Sequence, residues 1–216
     1  MNVQLALDRL TIEEAIKMGN MVREYVDWIE VGTSLIKEFG MESVKELRKA
    51  FPEKIIVADI KTFDNARYEF EMCYKAGADV ATVMGAAPKV SIDTCMKVAQ
   101  EFGKLVMFDL LNASTIQVEQ LLEHEDAIFC GHVSKDQQEI SGEKQSLNKL
   151  NLPQCLLSGE GGRLALAGGI TLESLPNLAE IKPYVVIVGS GITKAKNPSE
   201  AAKEFKQLIS KLTGGK

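Results

Sequence analysis

The chain is poor in the residues that build metal knots, disulfide frameworks and polyanion-binding surfaces. Its four cysteines, Cys73, Cys95, Cys130 and Cys155, are far apart, form no CxxC pair and have no histidine at zinc-finger spacing. Neither a disulfide framework nor a structural zinc site is indicated, and reduced thiols in a cytoplasm fit best. Positive charge is also short: 25 Lys and Arg stand against 30 Asp and Glu, a formal net charge of −5, so nucleic acid is not an expected partner. That balance still leaves room for a local pocket holding a small phosphorylated ligand. No uninterrupted apolar run approaches a membrane span, and the opening MNVQLALDRL lacks a basic region followed by a long apolar segment. No membrane partner is expected. What the chain does have is 216 residues, 45% of them hydrophobic, enough for a full core, most simply as one domain over residues 1–216.

Short β-branched runs alternate with longer segments of helical periodicity. VQLALD (3–8) reads as a strand, and Thr11 with Glu14 three residues later forms a capping-box pattern at the head of IEEAIKMGNMV. The unit recurs. Further strands are expected at 25–32, 54–61, 78–85, 104–111, 126–133, 163–170 and 184–191. Eight strand-helix units of about 27 residues each suit right-handed βαβ crossovers in a parallel sheet. A doubly wound sheet and a closed (β/α)8 TIM barrel both use such units; the count of eight favours the barrel, an α/β fold. The segment from 136 to 162 is too long and mixed for one simple helix, and its end, SGEGG, reads as flexible loop. The last helix starts at Pro198 and stops before Gly214 and Gly215.

In either architecture ligands lie beyond the carboxyl ends of the strands, and polar residues fall there systematically: Asp8, Glu30, Asp59 with Lys61, Asp109, His132, Gly168 with Gly169, and Gly189 with Ser190. In an extended strand Asp59 and Lys61, two apart, project to the same side. Taken alone they read as a structural salt bridge at a strand end. Asp8 and Glu30 on neighbouring strands change that, because three carboxylates around one lysine are unfavourable unless a cation relieves them. An oxygen-only cluster suits Mg²⁺.

LALAGGIT and VIVGSGIT both close an apolar run with small residues, which lets backbone N–H groups approach a ligand. In barrels this is a phosphate position at strands seven and eight. His132 at the end of strand six is the candidate proton carrier. His124, in LLEHED at a helix end, reads as a surface residue without a catalytic role.

DIKTFD resembles the DxKxxD signature of the orotidine 5'-monophosphate decarboxylase superfamily. LALD, IEVGTSLIKEFG, IVADIKTFD, VMFDL, GHVSKDQQ, LALAGGI and VIVGSGITKAKNPSEAA extend the resemblance along nearly the whole chain, toward the 3-hexulose-6-phosphate synthase branch. The resemblance implies a (β/α)8 barrel acting as a homodimer, with Asp64 of one subunit reaching the site of the other. It implies Glu30 and Asp59 as Mg²⁺ ligands, Asp8 and Lys61 beside the reacting oxygens, and the Gly168–Gly169 and Gly189–Ser190 loops on a phosphate. The implied chemistry is a Mg²⁺-stabilised enediolate of ribulose 5-phosphate that adds formaldehyde, with His132 moving the proton. A related branch, the 3-keto-L-gulonate 6-phosphate decarboxylases, is the nearest alternative. Asp109 and Ala167 resemble the synthases, Lys135 leans toward the decarboxylases, and Ser190 stands where these commonly have Arg. A non-catalytic sugar-phosphate-binding barrel is the alternative of another class.

Overall fold

The computed structural model describes residues 1–142, 152–159 and 162–214. Eight parallel strands, β1 (Asn2–Leu7), β2 (Trp28–Val31), β3 (Ile55–Thr62), β4 (Val80–Met84), β5 (Leu105–Asp109), β6 (Ile128–His132), β7 (Arg163–Ala167) and β8 (Val185–Val188), pair in sequence order. Closure comes from β1 against β8, with Val3 opposite Val186 and Leu5 opposite Val188, which excludes the doubly wound alternative.

The alternating pleat divides the core in two. Inward positions such as Trp28, Val57, Val80, Met107, Ile128, Ala165 and Val185 fill the barrel, so it is packed rather than open. Outward positions, among them Leu5, Ile29, Ile56, Phe108 and Phe129, bury against the surrounding helices together with Phe70, Val98 and Phe205. Each such fully buried large side chain contributes roughly 1.5–3 kcal/mol of transfer free energy.

The helices are α1 (Ile12–Val22), α2 (Thr33–Phe39), α3 (Met41–Ala50), α4 (Ala66–Lys75), α5 (Lys89–Phe102), α6 (Thr115–Leu121), α7 (Lys135–Ser141), α8 (Gln154–Ser158), α9 (Leu175–Ala179), α10 (Ser190–Thr193) and α11 (Pro198–Leu212). The Thr11/Glu14 capping box opens α1 as expected. Pro198 opens α11 behind an Asn197 cap. Units two, six and eight carry extra helices; Gly40 at φ +60° breaks the run after β2 into α2 and α3.

Several strands are shorter than expected. Residues 25–27 do not join β2, because Asp27 turns to accept from Val3 N–H and from Lys206. Gly189 and Ser190 lie outside β8, at the head of α10. Within 136–162 the described residues hold α7 and α8, while residues 143–151 and residues 160 and 161 of SGEGG lie outside the described residues.

Candidate active site

The strand ends gather their polar residues around Lys61. Lys61 does not get there by simple alternation. Ala58 pairs with Ala81 and Thr62 with Val83, so residues 59–61 of β3 stand opposite Thr82 alone. This bulge puts Lys61 at φ +51°, the left-handed region that costs energy for a side-chain-bearing residue. Thr82 stabilises the distortion from both sides: its Oγ1 accepts from Lys61 N–H at 2.9 Å and donates to Asp59 Oδ1 at 2.9 Å. The expectation of an ordinary pleat between Asp59 and Lys61 is thereby corrected, although both still reach one cluster.

Lys61 Nζ donates to Asp59 Oδ1 at 3.1 Å and to Asp109 Oδ2 at 2.5 Å. Burial works against the ammonium, but Asp59, Asp109 and Glu30 outweigh it and hold Lys61 protonated well beyond its usual range. Asp109, also buried, accepts from Leu111 N–H and faces His132 Nδ1 at 3.0 Å. Burial would raise its pKa, yet His132 and Lys61 together hold it below the usual carboxylate range. A carboxylate on Nδ1 leaves Nε2 of His132 as the nitrogen that can exchange a proton with a ligand.

Glu30 behaves oppositely. It is buried, and burial first, then the charges of Asp59 and Asp8, push its pKa well above normal against the opposing hydrogen bond from Gln4. Gln4 Nε2 donates to Glu30 Oε2 at 2.5 Å, while Gln4 Oε1 has no partner among the described residues. Asp59 accepts from Lys61, Thr82 and Thr33, the last at 2.5 Å on Oδ2, leaving about one of a carboxylate's four acceptor positions. Buried Glu30, with a single hydrogen bond from Gln4, and Asp59, with an acceptor position to spare, form an oxygen donor set that fits a hard divalent cation.

Asp8, exposed at the mouth, accepts from Ser34 N–H at 3.0 Å and Ser34 Oγ at 2.7 Å. Gly32 makes this approach possible: a Cβ there would lie 2.4 Å from Asp8 Oδ1 and 2.5 Å from Leu7 O. Asp64 stands apart, exposed, accepting from Asn65 N–H at the head of α4, and within one chain it does not join the lysine cluster.

The two small-residue loops prove unequal. Gly168 at φ +100° and Gly169 at +64° need their freedom, and a Cβ on Gly168 would meet Val133 O at 2.4 Å. Gly189 has φ −100°, and a Cβ there meets nothing closer than 3.7 Å; Ser190 begins the four-residue α10. The sequence reading of equivalent pairs is corrected, because the turn after β7 must reverse against the β6 loop whereas the chain after β8 runs directly into α10. Lys135 is the first residue of α7, exposed, with Glu139 at 3.8 Å. His124 is half-buried against Phe108 rather than on the open surface.

Gln4, Gly32, Thr33, Ser34 and Thr82 were not singled out from sequence. The available signal was a polar residue inside an apolar strand, Gln4 in VQLALD and Thr82 in ADVATVMG. Among the described residues, one group of three metal-type ligands lies together, Asp93, Glu123 and His124. Lys89 already pairs with both its carboxylates, so it is a surface ion-pair network.

The comparisons with known proteins agree with this geometry. The 3-hexulose-6-phosphate synthase of Bacillus subtilis is 36% identical over 213 residues, 97% of this chain and 99% of that protein. The crystal structure of 3-hexulose-6-phosphate synthase from Salmonella typhimurium superposes with a TM-score of 0.90 at 34% identity, covering 98% of this chain and 100% of that one. The 3-keto-L-gulonate-6-phosphate decarboxylase of Vibrio cholerae gives 0.85 at 29% identity, covering 98% of each. The profile of the orotidine 5'-phosphate decarboxylase / HUMPS family matches residues 1–205, and the chain belongs to that family.

Proposed function

We propose that this enzyme is a carbon–carbon lyase acting on a sugar phosphate, joining ribulose 5-phosphate and formaldehyde into hexulose 6-phosphate and cleaving it in reverse. The observation that carries the reading is the Lys61–Asp109–His132 chain beside the buried Glu30 and Asp59, in a protein 36% identical to a synthase of that name. Glu30 and Asp59 would hold Mg²⁺, which when bound supplies positive charge that favours oxyanions on the sugar. His132 Nε2 takes the C1 proton; the electron pair left on C1 forms the new bond to the formaldehyde carbon, whose oxygen receives a proton in turn. Asp109 orients His132 and Lys61 at once, and the Lys61 ammonium, fixed in position, stabilises negative charge developing on oxygen. The Gly168–Gly169 and Gly189–Ser190 loops would receive the phosphate through backbone N–H groups.

The test is a side-by-side assay with Mg²⁺: ribulose 5-phosphate plus formaldehyde against 3-keto-L-gulonate 6-phosphate. Faster formaldehyde consumption is expected. Faster release of carbon dioxide would reassign the enzyme to the second reading, which Lys135 at the head of α7 favours. A non-catalytic binder is excluded by turnover that vanishes in Lys61→Ala while the sugar phosphate still binds.

A cytoplasmic homodimer is part of the same proposal, with Asp64 supplied to the partner's site. Support comes from exposed apolar residues on successive units of the mouth, Phe63, Tyr68, Val90 and Ile116, with Phe63 lining a cavity of about 320 Å³. Asp64→Ala and Lys61→Ala dimers, each inactive alone, should regain about a quarter of wild-type activity when subunits exchange, the statistical share of sites with both groups intact. Proven exchange without recovery would overturn the shared site.

A further inference from the structure

Gln4 lies fully buried on β1, in register with Trp28 and on the inward face that Ala6 also occupies. Its Oε1 is, among the described residues, the buried side-chain polar atom without a hydrogen-bond partner. Packing alone gives no reason for an amide there, since a methionine would fill similar space and leave no orphaned acceptor. Nε2 donates to Glu30 Oε2 at 2.5 Å, the orientation that an ionised, metal-binding Glu30 requires, since the reversed amide would set oxygen against carboxylate oxygen.

We propose that Gln4 is a positioning residue for the divalent cation. It fixes Glu30 through Oε2 and so leaves Oε1 of the carboxylate for the metal. This rests on the cation reading of Glu30 and Asp59 given above and extends it to a residue outside the ligand set.

The experiment uses Mn²⁺ as the probe, with free Mn²⁺ followed by electron paramagnetic resonance against the full chain. Wild type, Gln4→Met and the ligand control Glu30→Gln are compared, each with its metal-free melting temperature. Gln4→Met is expected to weaken Mn²⁺ binding about 10- to 100-fold, the range for losing a partner of a metal ligand, with metal-free melting changed by only a few degrees. A variant that melts lower but binds Mn²⁺ like wild type overturns the proposal and makes Gln4 a packing residue. Wild type that binds no Mn²⁺ removes the cation reading itself and Gln4's role with it. If Gln4→Met does not fold, Gln4→Asn, which withdraws the amide by one methylene, carries the same expectation.

Discussion

The two ends of the barrel treat their carboxylates in opposite ways. At the amino ends of the strands, Asp79 accepts from Arg48, from Lys104 at 2.7 Å and from Ile56 N–H at 2.9 Å, and Asp27 accepts from Lys206 and Val3 N–H. Each negative charge there meets cations and backbone donors from neighbouring elements. At the carboxyl ends, Glu30, Asp59 and Asp109 crowd toward one lysine, and Asp8 adds its charge to that on Glu30. Burial raises the pKa of Asp79 less than Lys104, Ile56 N–H and Arg48 lower it, so its net shift is downward, while Glu30 is driven upward. The difference separates the two rims: one uses ion pairs to join helices to strands, and the other buries Glu30 among like charges.

Lys61→Ala tests the functional rim at its centre and has the largest expected effect. Removing a positioned donor for developing negative charge costs 10²–10³-fold, and loss of the partner that orients Asp109 adds to it, so kcat should fall about 10³-fold or more in steady-state assays. Loss below tenfold would mean that Lys61 is a structural counter-ion like Lys104. Asp79→Asn is the matching change on the other rim. The pair is partly screened by solvent, so about 2 kcal/mol of stability, read as a melting temperature roughly 4–8 °C lower, is expected with kcat retained. An Asp79→Asn variant that loses turnover but not stability would erase the distinction between the rims.

Glu30→Gln should reverse the sign. A carboxylate whose folded pKa is raised contributes stability that is complete below its unfolded value of about 4.3 and is lost as pH rises through the folded value. Metal-free enzyme should therefore lose stability from pH ~4 toward neutrality through Glu30, and Glu30→Gln should flatten that slope. At neutral pH the variant should melt about 2–4 °C higher, an effect of about 1 kcal/mol, while turnover is abolished. Asp79 carries the opposite dependence: its depressed pKa gives stability that is present above about 3.9 and lost on acidification. Thermal melts across pH on the two variants separate these contributions.

Most of the barrel was legible because each strand-helix unit repeats a period change, from two to 3.6, bounded by Gly, Pro or a cap such as Thr11. Lys61, Asp59, Asp109 and His132 were legible by position, since charge at a strand's end is conspicuous beside apolar residues. What sequence could not carry was the bulge at 59–61, which depends on Thr82 from the next strand, and the inequality of Gly168 and Gly189, which depends on what a Cβ would meet across space. Gln4 was read as part of an apolar strand because nothing local says that its partner is Glu30, 26 residues away. Asp64 is the reverse case: the family signature marks it, while within a single chain it accepts from its neighbour's N–H, away from the lysine cluster.

The smallest expected effect lies where the functional rim borrows the device of the structural one. Helix α7, which begins at Lys135, buries no residue of its own. It is tied down by Gln138 Nε2 to Val133 O at 2.8 Å and by Arg9 Nη1 to Glu139 Oε1 at 2.8 Å. Arg9 sits at φ +56°, its N–H held by Ser34 Oγ, so the β1 loop is shaped to project toward α7 past β8 and β7. Because both partners are exposed, the pair biases docking by only a few-fold. Arg9→Ala should raise KM for the sugar phosphate about two- to fivefold with kcat little changed, and hydrogen exchange at residues 135–141 should quicken. Wild type in about 0.5 M salt should behave like the variant, since screening removes an exposed pair. A charge-swapped Arg9→Glu, Glu139→Arg protein should recover both readouts; failure to do so would make Arg9 important for its backbone geometry rather than its charge.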